Sequence, residues 1–221
     1  LFRSVVNIMK CYSYKMDHDY GFAPNPFWGV MTLATCKGML RHSSNLEIGD
    51  WVIATGGCVL HEYIEHLIFA MKVEKIITFD EYWNTPEFEC KKPIFNGSVM
   101  QMYGDNVYHT DPQTKEVIQE RCAHTVKGKN PQDTEQYKRD VKGKNVLISK
   151  TFYYFGANAP KLPDEFKCMA STVRNIECNH VDEVTVEKFA NWLQSNYEVG
   201  VYGDPINWSE FTFKSYPIIK L

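Results

Sequence analysis

The eleven residues from Asp17 to Phe27 constrain this chain more than any other stretch. They read Asp-His-Asp-Tyr-Gly-Phe-Ala-Pro-Asn-Pro-Phe. Segments of strand-like composition flank them, Val5 to Tyr14 before and Gly29 to Cys36 after. A plain hairpin turn takes about two to five residues. This connection is longer, is stiffened by Pro24 and Pro26, and is crowded with groups that hydrogen-bond or stack. Loops of that kind, held on a rigid scaffold, carry binding and catalytic residues. The competing reading is a surface loop packed on its own aromatics.

Composition narrows the class. Apolar residues make up 44% and charged residues 23%, which supports a packed core. Aromatics reach 14%, as expected for a β-rich core or a stacking pocket. A net charge of -3 disfavours a general nucleic-acid coat protein but leaves room for a pocket that takes one base. No apolar run approaches the roughly 18 residues of a membrane span, and no signal-peptide pattern is present, so a cytoplasmic protein is expected. The chain opens on Leu1 rather than Met, so a natural start upstream is expected. The seven cysteines show no C-x-x-C pair, which argues against a disulfide framework or a Cys-rich zinc site.

The coarse element pattern is strand-rich. Leu46 to Gly57 reads as a turn, a strand and a glycine turn, and Leu67 to Ile77 is strongly β-like. Thr78 followed by Glu81 has the form of a helix capping box. Val146 to Ser149 reads as a short strand, and the aromatic run Phe152 to Gly156 follows it. From Thr185 to Asn196, Val186, Phe189, Ala190 and Leu193 recur at helical spacing, which predicts a helix near the C-terminus. Between Lys115 and Lys150 nine basic residues face five acidic ones. Lys127, Lys129, Lys142 and Lys144 within that stretch are the expected phosphate contacts if DNA binds.

Standard catalytic motifs are lacking: there is no P-loop, dinucleotide fingerprint, zinc helix or nucleophile elbow. His61 and His66 are five apart rather than four, which rotates them off a common helix face, so no zinc site is expected. Three clusters remain: Asp17, His18, Asp19 and Asn25; Cys36-Lys37 with Arg41; and Asp105, Asn106, Tyr108 and His109. A thiol beside a cation can act as a nucleophile, although a buried structural cysteine is the commoner outcome. Acid, amide, phenol and imidazole within five residues can read a base edge or move a proton, or else simply build a turn. His124 reads as a lone structural or solvated imidazole.

The stretches YSYKMDHDYGFAPNPFWGVMTLATCK, IGDWVIATGG, FAMKVEKIITFDEYW, GDNVYH and LISKTFYYFG resemble the second of the nucleotide modification associated domains. The resemblance runs from Tyr12 to Gly156, so residues 1–156 form a family-like part and 157–221 a C-terminal extension of a single domain. It implies a place in bacterial or phage systems that modify DNA bases. A weaker fold-level similarity, through Gly49-Asp50-Trp51-Val52 and Phe79 to Tyr82, points to PUA-like barrels.

Together these readings predict an α+β domain around a curved or barrel-like, mostly antiparallel sheet. It would bind a nucleotide or an extruded base and modify it. Asp19, Lys37, Asp105 and His109 are the candidate catalytic groups. Phe22, Asn25, Phe27, Arg41, Trp51, Asn106 and Tyr108 are the candidate binding groups. The sequence names no cofactor. A non-catalytic reader of a modified base and a structural subunit of a modification complex are the alternatives.

Overall fold

A computed structural model describes residues 8–172, 177–178 and 181–211. Residues 5–7 of the strand expected from Val5 lie outside the described residues. The strands in chain order are β1 (Cys11–Met16), β2 (Met31–Leu33), β3 (Trp51–Gly56), β4 (Leu67–Lys72), β5 (Lys75–Thr78), β6 (Tyr108–Thr110), β7 (Val117–Gln119), β8 (Asn145–Ser149), β9 (Phe152–Tyr154), β10 (Glu177–Cys178) and β11 (Gly200–Val201). The α-helices are α1 (Gly38–Arg41), α2 (Phe79–Asn84), α3 (Val99–Met102), α4 (Glu135–Val141) and α5 (Glu183–Asn196).

The expected barrel does not close. The strands form a six-stranded sheet in the order β10-β1-β3-β4-β9-β11, a three-stranded sheet β2-β8-β5 and the hairpin β6-β7. Two pairings in the large sheet, β1 with β3 and β9 with β11, are parallel. A parallel pair needs a crossover rather than a turn. The whole stretch from Asp17 to Asp50 is the crossover between β1 and β3, and it carries β2 into the second sheet. That departure interrupts the antiparallel path a small barrel would follow.

The central strands β1, β3, β4 and β9 are buried on both faces, in keeping with their nearly continuous apolar sequence. On β3, Val52 and Ala54 point into one core with Tyr14, Phe69, Met71 and Leu147, while Trp51 and Ile53 point into another. That second core is closed by α5 through Val186, Phe189, Ala190 and Leu193. Val186, Phe189 and Leu193 each contribute about 1.5–3 kcal/mol by leaving water, and Ala190 less. Asp182 caps the helix, its carboxylate accepting the Thr185 amide at 2.9 Å. The capping box at Thr78 and Glu81 forms as the spacing predicts and opens α2.

The two larger sheets are joined at one corner. The chain leaves β4 for β5 and returns from β8 to β9 side by side. There the Glu74 carboxylate accepts Lys150 N and Thr151 Oγ1, both at 2.6 Å. A third core lies beyond the small sheet and contains Phe22, Val30, Phe79, Tyr82, Phe88, Val107, Tyr108 and Tyr137. The candidate site sits on this core. Among the described residues, no helix is long and apolar enough to cross a membrane.

Candidate active site

The loop from Asp17 to Phe27 is held by its own polar groups. Asp19 is buried, and its carboxylate accepts Tyr154 OH at 2.6 and 2.7 Å, Ile206 N at 3.2 Å and Gly21 N at 3.3 Å. Burial pushes its pKa up, and these three donors offset part of that rise. Gly21 has φ +68°, and a Cβ there would sit 2.8 Å from the Phe27 ring and 2.9 Å from Pro205, so only glycine fits the turn. Phe27 stacks on Trp208 with centroids 5.4 Å apart. Asn25 is fully buried; its side-chain amide donates to Gly21 O at 3.1 Å and to Tyr103 O at 3.0 Å.

Lys91, which sequence reasoning passes over, ties this loop to the Asp105 segment. Its buried ammonium donates to Asn25 O (3.0 Å), Asn25 Oδ1 (2.7 Å) and Val30 O (2.7 Å). Asp105, also buried, accepts Thr32 Oγ1 at 2.8 Å and Tyr82 OH at 2.7 Å. Asn106 N donates to Lys91 O at 3.1 Å, and its side chain reaches Tyr82 O and Phe88 O at 3.0 and 3.2 Å. The two candidate loops therefore meet, but through enclosed contacts.

His109 and Trp51 lie apart from that junction. His109 stacks on Trp83 at 4.3 Å and meets Glu120 at 2.9 Å. Trp51 packs between Tyr153 and Phe189 in the core under α5.

A different constellation forms where β2 enters α1. Cys36 and Lys37 both adopt left-handed backbone, with φ of 54° and 43°. Cys36 N donates to Asp140 Oδ1 at 2.7 Å. Arg41, 1% exposed, clamps the turn to α4: Nε donates to Cys36 O (2.8 Å), Nη2 to Asp140 O (2.8 Å) and Nη1 to Asn145 O (2.7 Å). Gly143 leaves room for that guanidinium, because a Cβ there would lie 2.5 Å from Arg41 Cζ.

These contacts bring a cysteine, a histidine and an aspartate together, with their side-chain polar atoms within 4.8 Å of one another. Cys36 Sγ is 3.7 Å from His124 Nε2, and His124 Nδ1 is 3.0 Å from Asp140 Oδ2. The same Oδ2 accepts Tyr108 OH at 3.0 Å, and Gln119 Nε2 donates to that hydroxyl at 2.6 Å. Burial works against an imidazolium, but the bonds to Asp140 and Cys36 outweigh it and raise the His124 pKa to about 9. Phe22 stands edge-on to the imidazole with centroids 4.8 Å apart. The Gln136 amide also reaches Nε2, at 2.7 Å. Cys36 and His124 are both partly exposed. This is the nucleophile, base and orienting-acid order of covalent catalysis.

Thr35 and Lys37 flank Cys36 in the chain, and Lys37 reaches Tyr14. Lys37 Nζ lies 3.9 Å from the centre of the Tyr14 ring. The Tyr14 hydroxyl is buried, has no hydrogen-bond partner among the described residues, and feels the charges of both Cys36 and Asp19. Thr35 Oγ1, beside Cys36 in the chain, is likewise buried without a partner among the described residues.

The family model for nucleotide modification associated domain 2 matches residues 8–212. The chain belongs to this family. No curated protein and no solved structure matches it. The match to nucleotide modification associated domain 2 continues past Gly156 through α5, and it includes Cys36, His124 and Asp140.

The ligand atoms of these three residues lie within 4.8 Å of one another, so a metal centre is the rival use of this family member's cluster. The arrangement fits a proton relay better. Asp140 already accepts Cys36 N, Tyr108 OH and the Nδ1 side of His124, whereas the thiol faces Nε2. A carboxylate on the far ring nitrogen orients a histidine rather than sharing its ion. His124, read from the sequence as a lone imidazole, is the residue this structure most revises. Its partners lie 88 positions upstream and 16 downstream, and no spacing rule joins them.

Proposed function

We propose that the protein is an enzyme of a bacterial or phage modification system that binds a nucleotide or a DNA base and modifies it, with Cys36 as the reacting group. The Cys36–His124–Asp140 cluster, joined at 3.7 and 3.0 Å, carries this reading. In it, His124 takes the thiol proton and Asp140 fixes the ring. Lys37 supplies positive charge beside the thiol, and Phe22 offers a ring edge to the ligand. Asn25, Phe27, Asp105 and Asn106 hold the loops in place and Arg41 holds the turn. Tyr108 supports Asp140. Asp19 anchors the loop to Tyr154, while His109 and Trp51 stand outside the site.

The exposed Lys127, Lys129, Lys142 and Lys144 flank His124 and Asp140 in sequence, which supports phosphate binding beside the thiol. Neutralising them with Gln should weaken DNA binding and flatten its salt dependence, the slope falling by close to one for each phosphate that no longer meets a lysine. A PUA-like curvature of the large sheet and a cytoplasmic location belong to the same proposal.

The test is nucleoside mass spectrometry on DNA from cells that carry the complete modification system. Cys36→Ser and His124→Gln should abolish the modified nucleoside, while Cys58→Ser, at an exposed thiol, should not. Full modification with Cys36→Ser refutes the enzyme reading at this site. A parallel fall in base affinity and modification would favour a reader instead. A loss of complex assembly alone would favour a structural subunit.

A further inference from the structure

Resting on the reading above, we propose that the substrate is a pyrimidine with an unsubstituted C5, cytosine or uracil, and that Cys36 adds covalently to its C6. Two observations and one chemical fact support this. The thiol faces an imidazole that is itself held by a carboxylate, which is the arrangement of a nucleophile. Among nucleobases, the C5=C6 bond of a pyrimidine is the conjugate acceptor a thiolate attacks; purines offer no equivalent bond. The remaining observation is unmet polar demand at Thr35, next to Cys36 in the chain, and at Tyr14, whose hydroxyl feels the Cys36 charge. Tyr14 OH and Thr35 Oγ1 are buried without a partner among the described residues, and Lys37 Nζ covers the Tyr14 ring at 3.9 Å. Buried hydroxyls without partners are uncommon and call for an account, such as a ligand group that completes them. A pyrimidine presents such groups along its O2, N3 and C4 edge.

The step balances without an external oxidant or reductant. The Cys36 proton passes to His124. The thiolate forms an S–C6 bond, and the C5=C6 electron pair moves through C4 onto the O4 or N3 edge of the ring. The Lys37 ammonium and the Tyr14 hydroxyl meet the charge that collects there. C5 is then nucleophilic and takes a proton from water. Loss of the original C5 proton to water restores the enolate-like adduct, and expulsion of the thiolate re-forms the C5=C6 bond. In heavy water the net change is deuterium for hydrogen at C5, with the base otherwise intact.

The test incubates the purified full chain in heavy water with dCMP, dUMP, and single-stranded oligonucleotides that contain cytosine or uracil. The C5 proton is followed by NMR. Exchange with at least one of these is expected, reduced more than 100-fold in Cys36→Ala and unaffected in Cys58→Ala and Cys90→Ala, whose thiols are exposed elsewhere. The nucleotide and oligonucleotide arms separate a free-nucleotide substrate from a DNA base. As a second measurement, the monophosphate of 2-pyrimidinone deoxyriboside, an activated acceptor at C6, should add its mass to the protein at Cys36. No exchange and no adduct, in protein whose Cys36 still reacts with iodoacetamide, would overturn the pyrimidine assignment. The broader reading survives that result if Cys36→Ser still abolishes base modification in cells, and falls only if it does not.

Discussion

Replacing Lys91 with Met tests whether the buried polar junction holds the site loops together. The ammonium has three acceptors, Asn25 O, Asn25 Oδ1 and Val30 O, at 2.7–3.0 Å. Burial lowers its pKa to about 8, and the charge of Asp105 resists that fall. The carboxyl of Asp105 is shifted up, again chiefly by burial and against the pull of Lys91. Each charge eases the burial of the other, beside the hydrogen bonds that each makes on its own. Removing the ammonium strands three buried acceptors and withdraws the charge that eases Asp105, a cost of about 3 kcal/mol. Lys91→Met should therefore lower the urea midpoint by that equivalent with the m-value unchanged, followed by tryptophan fluorescence. Adding Asp105→Asn to Lys91→Met should recover about 1–3 kcal/mol, because the stranded carboxylate is gone. The pH dependence has a definite sign. Between about 8 and the ordinary 10.5 the unfolded chain holds the lysine proton and the folded one does not, so wild type should gain stability over Lys91→Met as pH rises through that window. A destabilisation below about 1 kcal/mol for the single variant, or strict additivity in the double, would refute the coupling.

His124 should show the opposite sign. Its pKa is raised from 6.5 to about 9, so the stability it adds is fully present below about 6.5 and lost as pH climbs through 9, measurable as wild type minus His124→Gln and by NMR titration of the ring. At pH 7 iodoacetamide should alkylate Cys36 at least about tenfold more slowly in His124→Gln than in wild type, read by peptide mass spectrometry. Phe189→Ala should cost about 3–5 kcal/mol by emptying the core under α5, yet leave the alkylation rate of Cys36 in the folded protein unchanged.

How much of this was legible beforehand depended on whether the signal was local. The α5 stripe, the Thr78 capping box and the strands at Trp51, Leu67 and Val146 could be read, because periodicity and caps act within a few residues. Helix α4 was hidden in a polar, basic stretch, although it supplies Asp140. The sheet division was hidden too, since nothing local distinguishes a crossover from a hairpin arm. At the site, the Asp17–Phe27 loop and the Cys36-Lys37 pair stood out through composition. Lys91 did not, since a lysine in a charged sequence context gives no sign that it will be buried. The link from Cys36 to His124 and Asp140 is a property of chain crossing alone.

The paired left-handed residues at Cys36 and Lys37 bear on how this protein responds to engineering. An L-residue with a Cβ strains its backbone there by about 1–2 kcal/mol, and glycine does not. Selection for heat tolerance alone should therefore drive both positions towards glycine, since the relief exceeds or offsets the added freedom of the unfolded chain. Each such clone would survive heat while lacking the thiol or the ammonium. A library screened in parallel for heat tolerance and for base modification would enrich glycine at 36 and 37 in the first arm and purge it from the second. The disagreement between the two arms would map the functional turn without any knowledge of the substrate.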